Sequence, residues 1–293
     1  MKLSIVILNF NTKELTLSCI NSISSNYENE LKKGEMEIIV ADNASTDESV
    51  AAISNPKLQI PNFRLLENKD NLGFSKGNNR AVKKASGKFV LFLNSDTEIK
   101  DKGFLRMLEF MQNNDRVAIL GGRLRNLDGS IQKSAGRFYS LFNLFLMLIG
   151  GERLGMLRQS PSKITRVDWV SGACMMVRKE TFQKLGGFEE RLFMYMEDME
   201  LCFRAKKEGF FTYFYPNIEL IHKERGSSNR TFAIIHIYEG ILYFYKKYMP
   251  PWQYKVAREL LFLKALFIKN LGKIIGNKYY EQTYGQSLGL FKE

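Results

Sequence analysis

The chain has 293 residues, of which 45% are hydrophobic, 13% aromatic and 25% charged. This balance is typical of a globular protein and excludes a disordered chain, a collagen-like repeat and a small disulfide scaffold. The formal net charge is +12 and the isoelectric point is about 9.4. An excess of this size indicates an anionic partner: a nucleic acid, an anionic membrane surface or a phosphorylated substrate.

Cysteine usage and hydropathy bear on the cellular compartment. Cys19, Cys174 and Cys202 lack the spacing of a zinc site or a disulfide framework, so we expect buried free thiols in a reducing compartment. The N-terminal apolar run is too short for a signal peptide. No stretch reaches the roughly 18 apolar residues of a spanning helix. We expect a cytoplasmic protein that can lie peripherally on the inner face of the cell membrane.

The first 120 residues alternate between strand and helix patterns. Continuous apolar runs predict parallel strands buried on both faces, and amphipathic stretches predict the intervening helices. The predicted strands are 3–8, 37–41, 63–66, 89–93 and 117–120. The first predicted helix contains Leu15, Ile20 and Ile23, a short second helix opens at 46–48, and two more span about 75–85 and 102–114. Repeated βα units imply an α/β fold with a mostly parallel, Rossmann-like sheet.

The pattern changes after residue 120. Asp128-Gly129 predicts a hairpin, and Pro250-Pro251 interrupts a helical region that starts near residue 230. Between them we predict strands in 167–177, 211–215 and 218–221, helices at 180–185 and 197–208, and a loop at Gly226-Ser227-Ser228. We predict a buried core helix for the apolar segment 141–149. The alternative is a flap near the acceptor site, which could meet a lipid-linked acceptor at the membrane. We therefore divide the chain into an α/β domain, 1–228, and a helical extension, 229–293.

Polar residues follow several of the predicted strands. Ligands of open parallel sheets bind beyond the carboxyl ends of the strands. The polar strand-end residues are Asn9, Asn11, Asp42, Asn43, Asn94, Ser95 and Asp96. Neither a G-x-G-x-x-G turn nor a phosphate-binding P-loop is present, which argues against a dinucleotide cofactor and a P-loop ATPase. Asp96 suits a metal that neutralises a nucleotide diphosphate, although Asp42 and Asp96 could also be ordinary turn residues.

Two further positions could carry chemistry. Asp198 lies near the start of a predicted helix in the run Glu197-Asp198-Met199-Glu200. Acids there either compensate the helix dipole or supply a general base. His222 directly follows a predicted strand and could bind the same cation as Asp96 or be structural. His236 lies in an apolar helical stretch, and we interpret it as structural.

Six segments, in order, resemble the motifs of family 2 inverting glycosyltransferases, with the rhamnosyltransferase-like subgroup of bacterial cell-surface polysaccharide synthesis as the nearest match. They cover about residues 3–228. The segments are Ser4-Ile5-Val6-Ile7-Leu8-Asn9-Phe10-Asn11, Val40-Ala41-Asp42-Asn43-Ala44-Ser45-Thr46-Asp47, Asn71-Leu72-Gly73-Phe74, Leu93-Asn94-Ser95-Asp96-Thr97, Ser171-Gly172-Ala173 and Glu197-Asp198-Met199-Glu200-Leu201-Cys202-Phe203-Arg204.

This resemblance implies a GT-A fold, a nucleotide-sugar donor and a divalent metal, Mg²⁺ or Mn²⁺. It implies that Asp198 is the catalytic base, that Asp96 and His222 bind the metal, and that Asp42 holds the nucleotide base. The full set of predicted donor-binding residues is Asn9, Asn11, Asp42, Asn43, Asn71, Gly73, Asn79, Asn94 and Ser95. Two positions depart from the family pattern: Asn94 replaces the first acid of the D-x-D motif, and Glu200 stands where many members have Asp.

The expected function is therefore inverting transfer of a rhamnose-like sugar from a dTDP- or UDP-sugar to a hydroxyl of a glycan or lipid-linked acceptor. The alternatives are a UDP-hexose or UDP-N-acetylhexosamine transferase, and a non-catalytic membrane-associated scaffold. A nucleic-acid-binding protein is disfavoured, because the sequence has no helix-turn-helix, ribonucleoprotein or zinc-knuckle motif.

The positive charge is concentrated near the C-terminus. Residues 223–293 hold twelve basic residues against five acidic ones, interleaved with Trp252, Phe262 and Phe267. Basic helices with aromatic and aliphatic residues are typical of anionic membrane interfaces. The alternative is a helix packed on the α/β domain with a solvated lysine face.

Overall fold

The computed structural model describes residues 1–151, 155–223 and 229–292. Within these ranges the strands are β1 (Leu3–Asn9), β2 (Met36–Asp42), β3 (Phe63–Glu67), β4 (Phe89–Asn94), β5 (Thr97–Ile99), β6 (Val117–Gly122), β7 (Leu124–Arg125), β8 (Ile131–Gln132), β9 (Ala135–Gly136), β10 (Arg158–Gln159), β11 (Thr165–Val167), β12 (Trp169–Val170), β13 (Cys174–Arg178), β14 (Phe211–Tyr215) and β15 (Leu220–His222). The α-helices are α1 (Lys13–Asn26), α2 (Glu28–Lys32), α3 (Ser49–Ile53), α4 (Gly73–Val82), α5 (Gly103–Gln112), α6 (Leu141–Leu148), α7 (Lys179–Lys184), α8 (Glu197–Lys207), α9 (Arg230–Tyr248), α10 (Pro251–Ile274) and α11 (Lys278–Ser287).

Eight strands form the central sheet, in the order β11-β14-β6-β13-β4-β1-β2-β3. Strands β1 to β4 are mutually parallel where they pair, and β6 is parallel to β14. Strand β13 runs antiparallel to both β4 and β6, and β11 runs antiparallel to β14. The predicted mostly parallel sheet is confirmed, with a reversed strand at its centre.

Each face of the sheet is covered, which explains why its strands are continuously apolar. On one side, Ile5 and Ile7 of β1 pack with residues of α1 and α5. On the other side, Val6 of β1 belongs to a second core that includes residues of α4, α8, α9 and α10. The alternation of side chains along β1 therefore serves two helical layers.

Two smaller sheets extend beyond the central one. Strands β10, β9 and β12 form a three-stranded sheet, and β5, β15, β7 and β8 form a four-stranded sheet. The hairpin predicted at Asp128-Gly129 is confirmed, because β7 and β8 pair antiparallel on either side of it. The predicted strand 218–221 is shifted, since β15 begins at Leu220.

The helix predicted to open at Thr46-Asp47-Glu48 begins later, at Ser49. Asp47 Oδ1 accepts hydrogen bonds from the Ser49 backbone N–H and hydroxyl. Asp47 is therefore used in the turn that precedes α3, a competing role that acidic residues commonly take before a helix.

The C-terminal helices pack against the α/β domain. Tyr238, Ile241, Phe244 and Tyr245 of α9 are buried in the core that contains Val6 of the sheet. The predicted helical extension is confirmed, while the boundary at residue 228 and the loop at 226–228 lie outside the described residues, so the division into two domains remains a prediction. In the part of the chain that the structure describes, no helix is both long enough and apolar enough to cross a membrane.

Candidate active site

A cleft of about 930 Å³ opens where β1, β2 and β4 end, as expected for ligand sites of open α/β sheets. Eight of the predicted site residues line it: Asn43, Asn71, Gly73, Asn94, Ser95, Asp96, Asp198 and His222. The other four, Asn9, Asn11, Asp42 and Asn79, lie outside the lining that the described residues form. The structure therefore brings the predicted metal and base positions into one cavity.

Asn9 and Asp42 join the ends of β1 and β2 below the cleft, and both are fully buried. The Asn9 amide nitrogen lies 3.4 Å from Asp42 Oδ2 and 3.0 Å from Ser45 Oγ, and Asp42 Oδ1 accepts a 2.9 Å bond from the Ser45 backbone N–H. Asn11 Oδ1 accepts a 2.7 Å bond from the Thr46 backbone N–H. These three side chains order the segment after β2, and their contact with a nucleotide stays a prediction.

Asn43, Asn71 and Gly73 form the next part of the wall. The Asn43 amide donates to the Gly73 carbonyl at 3.1 Å and to Asn71 Oδ1 at 3.2 Å. Gly73 has a φ of +70°, and a Cβ at this position would lie 2.3 Å from the Phe193 carbonyl oxygen. Only glycine fits this approach, so the start of α4 is held against the segment that precedes α8.

Asn79 is turned away from the cleft. Its amide donates to the Phe188 carbonyl at 2.8 Å, and its Oδ1 accepts a 2.9 Å bond from the Phe188 backbone N–H. A single side chain thus satisfies both backbone groups of Phe188. Its observed contacts fix the 187–190 loop, while its predicted place in the donor region remains untested.

The pairing of β15 with β5 brings His222 beside Asp96, because His222 is opposite Thr97 in the register. His222 Nε2 lies 3.2 Å from Asp96 Oδ1 and 3.2 Å from the Asn94 amide nitrogen. On the other side of the ring, Nδ1 lies 2.8 Å from Gln132 Oε1. The Gln132 amide nitrogen donates to the His222 carbonyl at 2.8 Å, which fixes the orientation of the amide. Gln132 therefore favours the tautomer with the proton on Nδ1 and the lone pair on Nε2.

The donor set of this corner fits a divalent cation. A carboxylate oxygen and an imidazole lone pair face each other, and neutral imidazole and carboxylate are both ordinary ligands of such ions. Among the residues that the structure describes, no group of three His, Cys, Asp or Glu side chains comes together. Asp96 and His222 would thus supply two protein ligands, which leaves coordination positions for oxygen atoms of a bound substrate and water.

Glu197 and Asp198 lie at the start of α8, against the same cleft. Asp198 is partly exposed to the cleft, and its carboxylate accepts backbone N–H bonds from Gly172 at 3.1 Å and Met199 at 2.7 Å. Burial raises the pKa of Asp198, and these bonds together with the charge of Arg158 oppose the rise. Burial raises the pKa of Glu197 much further, and the adjacent Asp198 charge adds to it. The pair therefore favours a proton on Glu197 and a charge on Asp198.

Glu200 has a structural environment. It is fully buried and accepts bonds from both Nε and Nη2 of Arg204 and from the Tyr248 hydroxyl. The Lys247 ammonium donates to Glu200 Oε1 at 3.3 Å. Because Lys247 and Tyr248 belong to α9, this carboxylate ties the C-terminal helices to α8.

Several cleft residues were missed by sequence reasoning. Gln132 and Arg158 lie in two-residue strands that have no detectable period, and the Arg158 guanidinium stands 5.4 Å from the Trp169 ring. Arg230 and Phe232 of α9 also line the cleft. Trp169, which also lines the cleft, is one of two tryptophans in the chain. Its rarity is the sequence signal that could have drawn attention to this part of the cleft.

Comparisons with known proteins agree with this geometry. The model of the family described as "Glycosyl transferase family 2" matches residues 4–186. An N-acetylglucosaminyl-diphospho-decaprenol L-rhamnosyltransferase of Mycobacterium tuberculosis (strain CDC 1551 / Oshkosh) is 30% identical over 215 residues, which are 67% of this chain and 69% of that protein. The rhamnosyltransferase WbbL of Escherichia coli K12 is 27% identical over 169 residues, covering 55% and 64% of the two chains.

Solved structures with the same fold include residues 1–349 of S. aureus TarS, with a TM-score of 0.56 and 14% identity over 98% of this chain and 89% of that one. The mannosyltransferase PcManGT of Pyrobaculum calidifontis, solved with GDP-Man and Mn²⁺, has a TM-score of 0.60 and 14% identity over 100% and 88%. The fold is therefore a GT-A fold. The chain belongs to glycosyl transferase family 2, and its relatives include two rhamnosyltransferases.

Proposed function

We propose that this glycosyltransferase moves a rhamnose-like sugar, with inversion, from a dTDP- or UDP-sugar to a hydroxyl of a glycan or lipid-linked acceptor. The observation that carries the proposal is Asp198, an ionisable carboxylate on the wall of the cleft that also contains Asp96 and His222. The similarity to two rhamnosyltransferases supports the choice of sugar.

In the proposed reaction, Asp198 accepts the proton of the acceptor hydroxyl. The acceptor oxygen then forms a bond to the anomeric carbon while the bond from that carbon to the nucleoside diphosphate breaks on the opposite side. The electron pair of the broken bond leaves with the diphosphate, and the configuration at the carbon is inverted. The N–H groups of Gly172 and Met199 orient the carboxylate, and the positive charge of Arg158 favours its ionised form.

We propose that Asp96 and His222 hold a divalent metal, either Mg²⁺ or Mn²⁺, as the solved neighbour with Mn²⁺ suggests. Such an ion, when bound, would neutralise negative charge on the diphosphate. Gln132 keeps the His222 ring in the orientation that directs Nε2 toward Asp96. Ser95 and Asn94 adjoin this corner of the cleft.

We also propose that the enzyme works at the inner face of the cell membrane, held peripherally by its basic C-terminal extension. The concentration of lysine and arginine in residues 223–293 supports this location, since an anionic leaflet attracts such segments.

A panel of nucleotide sugars, assayed for transfer and for donor binding by calorimetry, tests the proposed function. We expect wild-type transfer from dTDP-rhamnose, loss of transfer by at least about a hundredfold in Asp198→Asn, and nearly unchanged donor affinity in that variant. Asp96→Ala should instead lose the Mg²⁺-dependent part of donor binding.

Three results would contradict the assignments separately. Near wild-type turnover of Asp198→Asn would reject the base, and equal donor affinity with and without Mg²⁺ would reject the metal site. Preference for a UDP-hexose or UDP-N-acetylhexosamine would replace the rhamnose-like donor by the alternative.

A further inference from the structure

Helix α10 presents an apolar row to solvent. Trp252, Val256, Leu263, Phe267 and Ile274 recur at helical spacing, and their exposed fractions run from 40% at Val256 to 81% at Ile274. The opposite face of the helix carries Ala257, Leu261 and Ala265, which are fully buried. Helix α10 therefore has two apolar faces. One packs against the core, and the other is exposed to solvent, where an amphipathic helix would carry polar residues.

A second apolar row lies on α6, in the catalytic domain. Phe142, Phe145 and Ile149 have exposed fractions of 68%, 46% and 63%. Leu144 and Leu148 of the same helix are buried in the core that includes Leu261 and Ala265 of α10. The Lys264 ammonium donates to the Leu148 carbonyl, so α6 and α10 are packed neighbours. The expected fully buried core helix at 141–149 is therefore wrong, because one side of α6 is exposed.

Large exposed apolar side chains grouped on two neighbouring helices indicate a contact surface, and the charge around them identifies its partner. From Lys246 to Lys278 the chain has eight basic residues and one acidic residue, Glu259. Lys255 and Lys273 are exposed on α10. A second copy of the chain would bring the same positive charge to this surface, whereas an anionic lipid surface would neutralise it.

Helix α6 also reaches the catalytic cleft. Met147 of α6 and Tyr139, two residues before the helix begins, line the cleft. The same short segment therefore contributes to the exposed apolar surface on one side and to the cleft wall on the other.

We infer that α6 and α10 together form a docking face for an anionic membrane interface, with α6 bringing the cleft to the lipid surface. The inference rests on the proposed membrane location of the C-terminal extension and deepens it, because it joins α6 of the predicted α/β domain and α10 of the extension into one face. Because no described helix can cross a bilayer, the contact would be interfacial, with apolar side chains among the headgroups and lysines beside them.

Flotation of the full-length protein with vesicles tests this face. We expect binding to phosphatidylcholine vesicles that contain phosphatidylglycerol and little binding to phosphatidylcholine alone. The double variants Phe142→Ser/Phe145→Ser and Leu263→Ser/Phe267→Ser should each lower the vesicle partition coefficient by about tenfold or more. Ile164→Ser, at a residue 38% exposed elsewhere on the domain, is the matched control and should float like the wild type.

Circular dichroism melting verifies that each variant is folded, and transfer to a water-soluble acceptor should continue in all of them. Wild-type protein that does not float with anionic vesicles overturns the inference, as does undiminished flotation of the Phe142→Ser/Phe145→Ser variant. Lipid-free dimers that both double variants abolish would assign the face to a second copy instead. Flotation without sugar transfer from any donor would leave the docking face in place and reject the proposed function.

Discussion

Two neighbouring carboxyl groups at the start of α8 have different surroundings. Asp198 accepts two backbone N–H bonds, whereas Glu197 Oε2 is buried and has no hydrogen-bond partner among the residues that the structure describes. Desolvation disfavours the charged form of both groups. The backbone N–H groups of Gly172 and Met199 and the charge of Arg158 stabilise the Asp198 carboxylate, whereas the Glu197 carboxylate is stabilised by its own backbone N–H alone among the interactions that the described residues provide. The sequence Glu197-Asp198 alone cannot distinguish the two carboxylates, and their hydrogen bonds identify which of them is suited to accept a proton.

The difference predicts a pH-dependent stability effect for Glu197→Gln. The folded protein retains a proton on Glu197 at pH values where the unfolded chain, with an ordinary pKa of about 4.3, has released it. The cost of burying this group therefore grows as pH rises above that value. Glutamine stays neutral, so the variant should match the wild type near pH 4 and exceed its free energy of unfolding by roughly 1 kcal/mol or more at pH 8.

Urea unfolding at several pH values measures this difference. Glu200→Gln serves as the control with the opposite sign, because Glu200 is paired with Arg204 and Lys247 and its neutralisation should destabilise the protein at neutral pH. A Glu197→Gln variant that is less stable than the wild type at pH 8 would contradict the prediction, because it would show that the folded protein is stabilised by an ionised Glu197.

At the scale of elements, α9 supports the turn that leads to Asp198, the proposed catalytic base. Tyr195 and Met196 both have positive φ values, 70° and 71°, a conformation that costs non-glycine residues of order 1 kcal/mol or more each. Gly240 of α9 lies against this turn, and a Cβ at Gly240 would be 2.6 Å from Met196 Cγ and 2.7 Å from Met196 Cβ. Close approach of α9 thus holds a strained turn two residues before Asp198.

We therefore expect Gly240→Ala to shift the 195–196 turn and to lower kcat by roughly tenfold to a hundredfold, because small displacements of a catalytic group have effects of that size. Donor affinity should remain close to that of the wild type, since none of the residues predicted to bind the donor belongs to the 195–196 turn or to α9. Steady-state kinetics and donor calorimetry check both parts.

Gly285→Ala is the matched control in the same C-terminal region, since its Cβ would have only Lys269 Cε within 4 Å, at 3.9 Å. It should retain full activity. If Gly240→Ala weakens donor binding by as large a factor as it lowers kcat, then the contact of α9 with the turn affects the donor site as well as the position of Asp198, and the prediction is wrong.

Strands and helices with strong local patterns could be predicted from the sequence. The pairing and direction of the strands and the tertiary contacts of short segments could not. The apolar runs located β1 to β4 within one or two residues, because a strand buried on both faces must be apolar throughout. The direction of β13 was not predictable, since an apolar strand has the same composition in either orientation. Polar strand ends located the cleft, whereas the contacts of Gln132 and Arg158 depend on two-residue strands that only the tertiary fold defines.

On the scale of the whole molecule, the C-terminal helices are part of the main core. Phe203 of α8 stacks edge-on against Phe244 of α9 at 4.9 Å, and the buried Tyr245 hydroxyl donates to the Tyr139 carbonyl. Glu189 accepts bonds from Lys247 and Tyr243 of the same helix. Burial opposes ionisation of Glu189, but these bonds and those from Arg191 outweigh it and lower its pKa.

Removal of residues 229–293 is therefore expected to uncover a large apolar surface and to prevent stable folding of residues 1–228. We expect aggregated protein by gel filtration and no cooperative thermal transition by circular dichroism. A monomeric fragment that melts cooperatively and binds donor would instead establish the proposed boundary as one between independent domains.

The reversed strand β13 has a consequence for how the protein is made. Val177 of β13 pairs with Val90 of β4 on one side and with Ile119 of β6 on the other. During translation β4 and β6 are both synthesised before β13. In the finished sheet β13 is the strand that lies between them, so their facing edges stay unpaired until β13 has been made. Unpaired edges of apolar strands are prone to join other chains. Until residues 123–178 have been synthesised, these two edges of a nascent chain are therefore open to pairing with another chain.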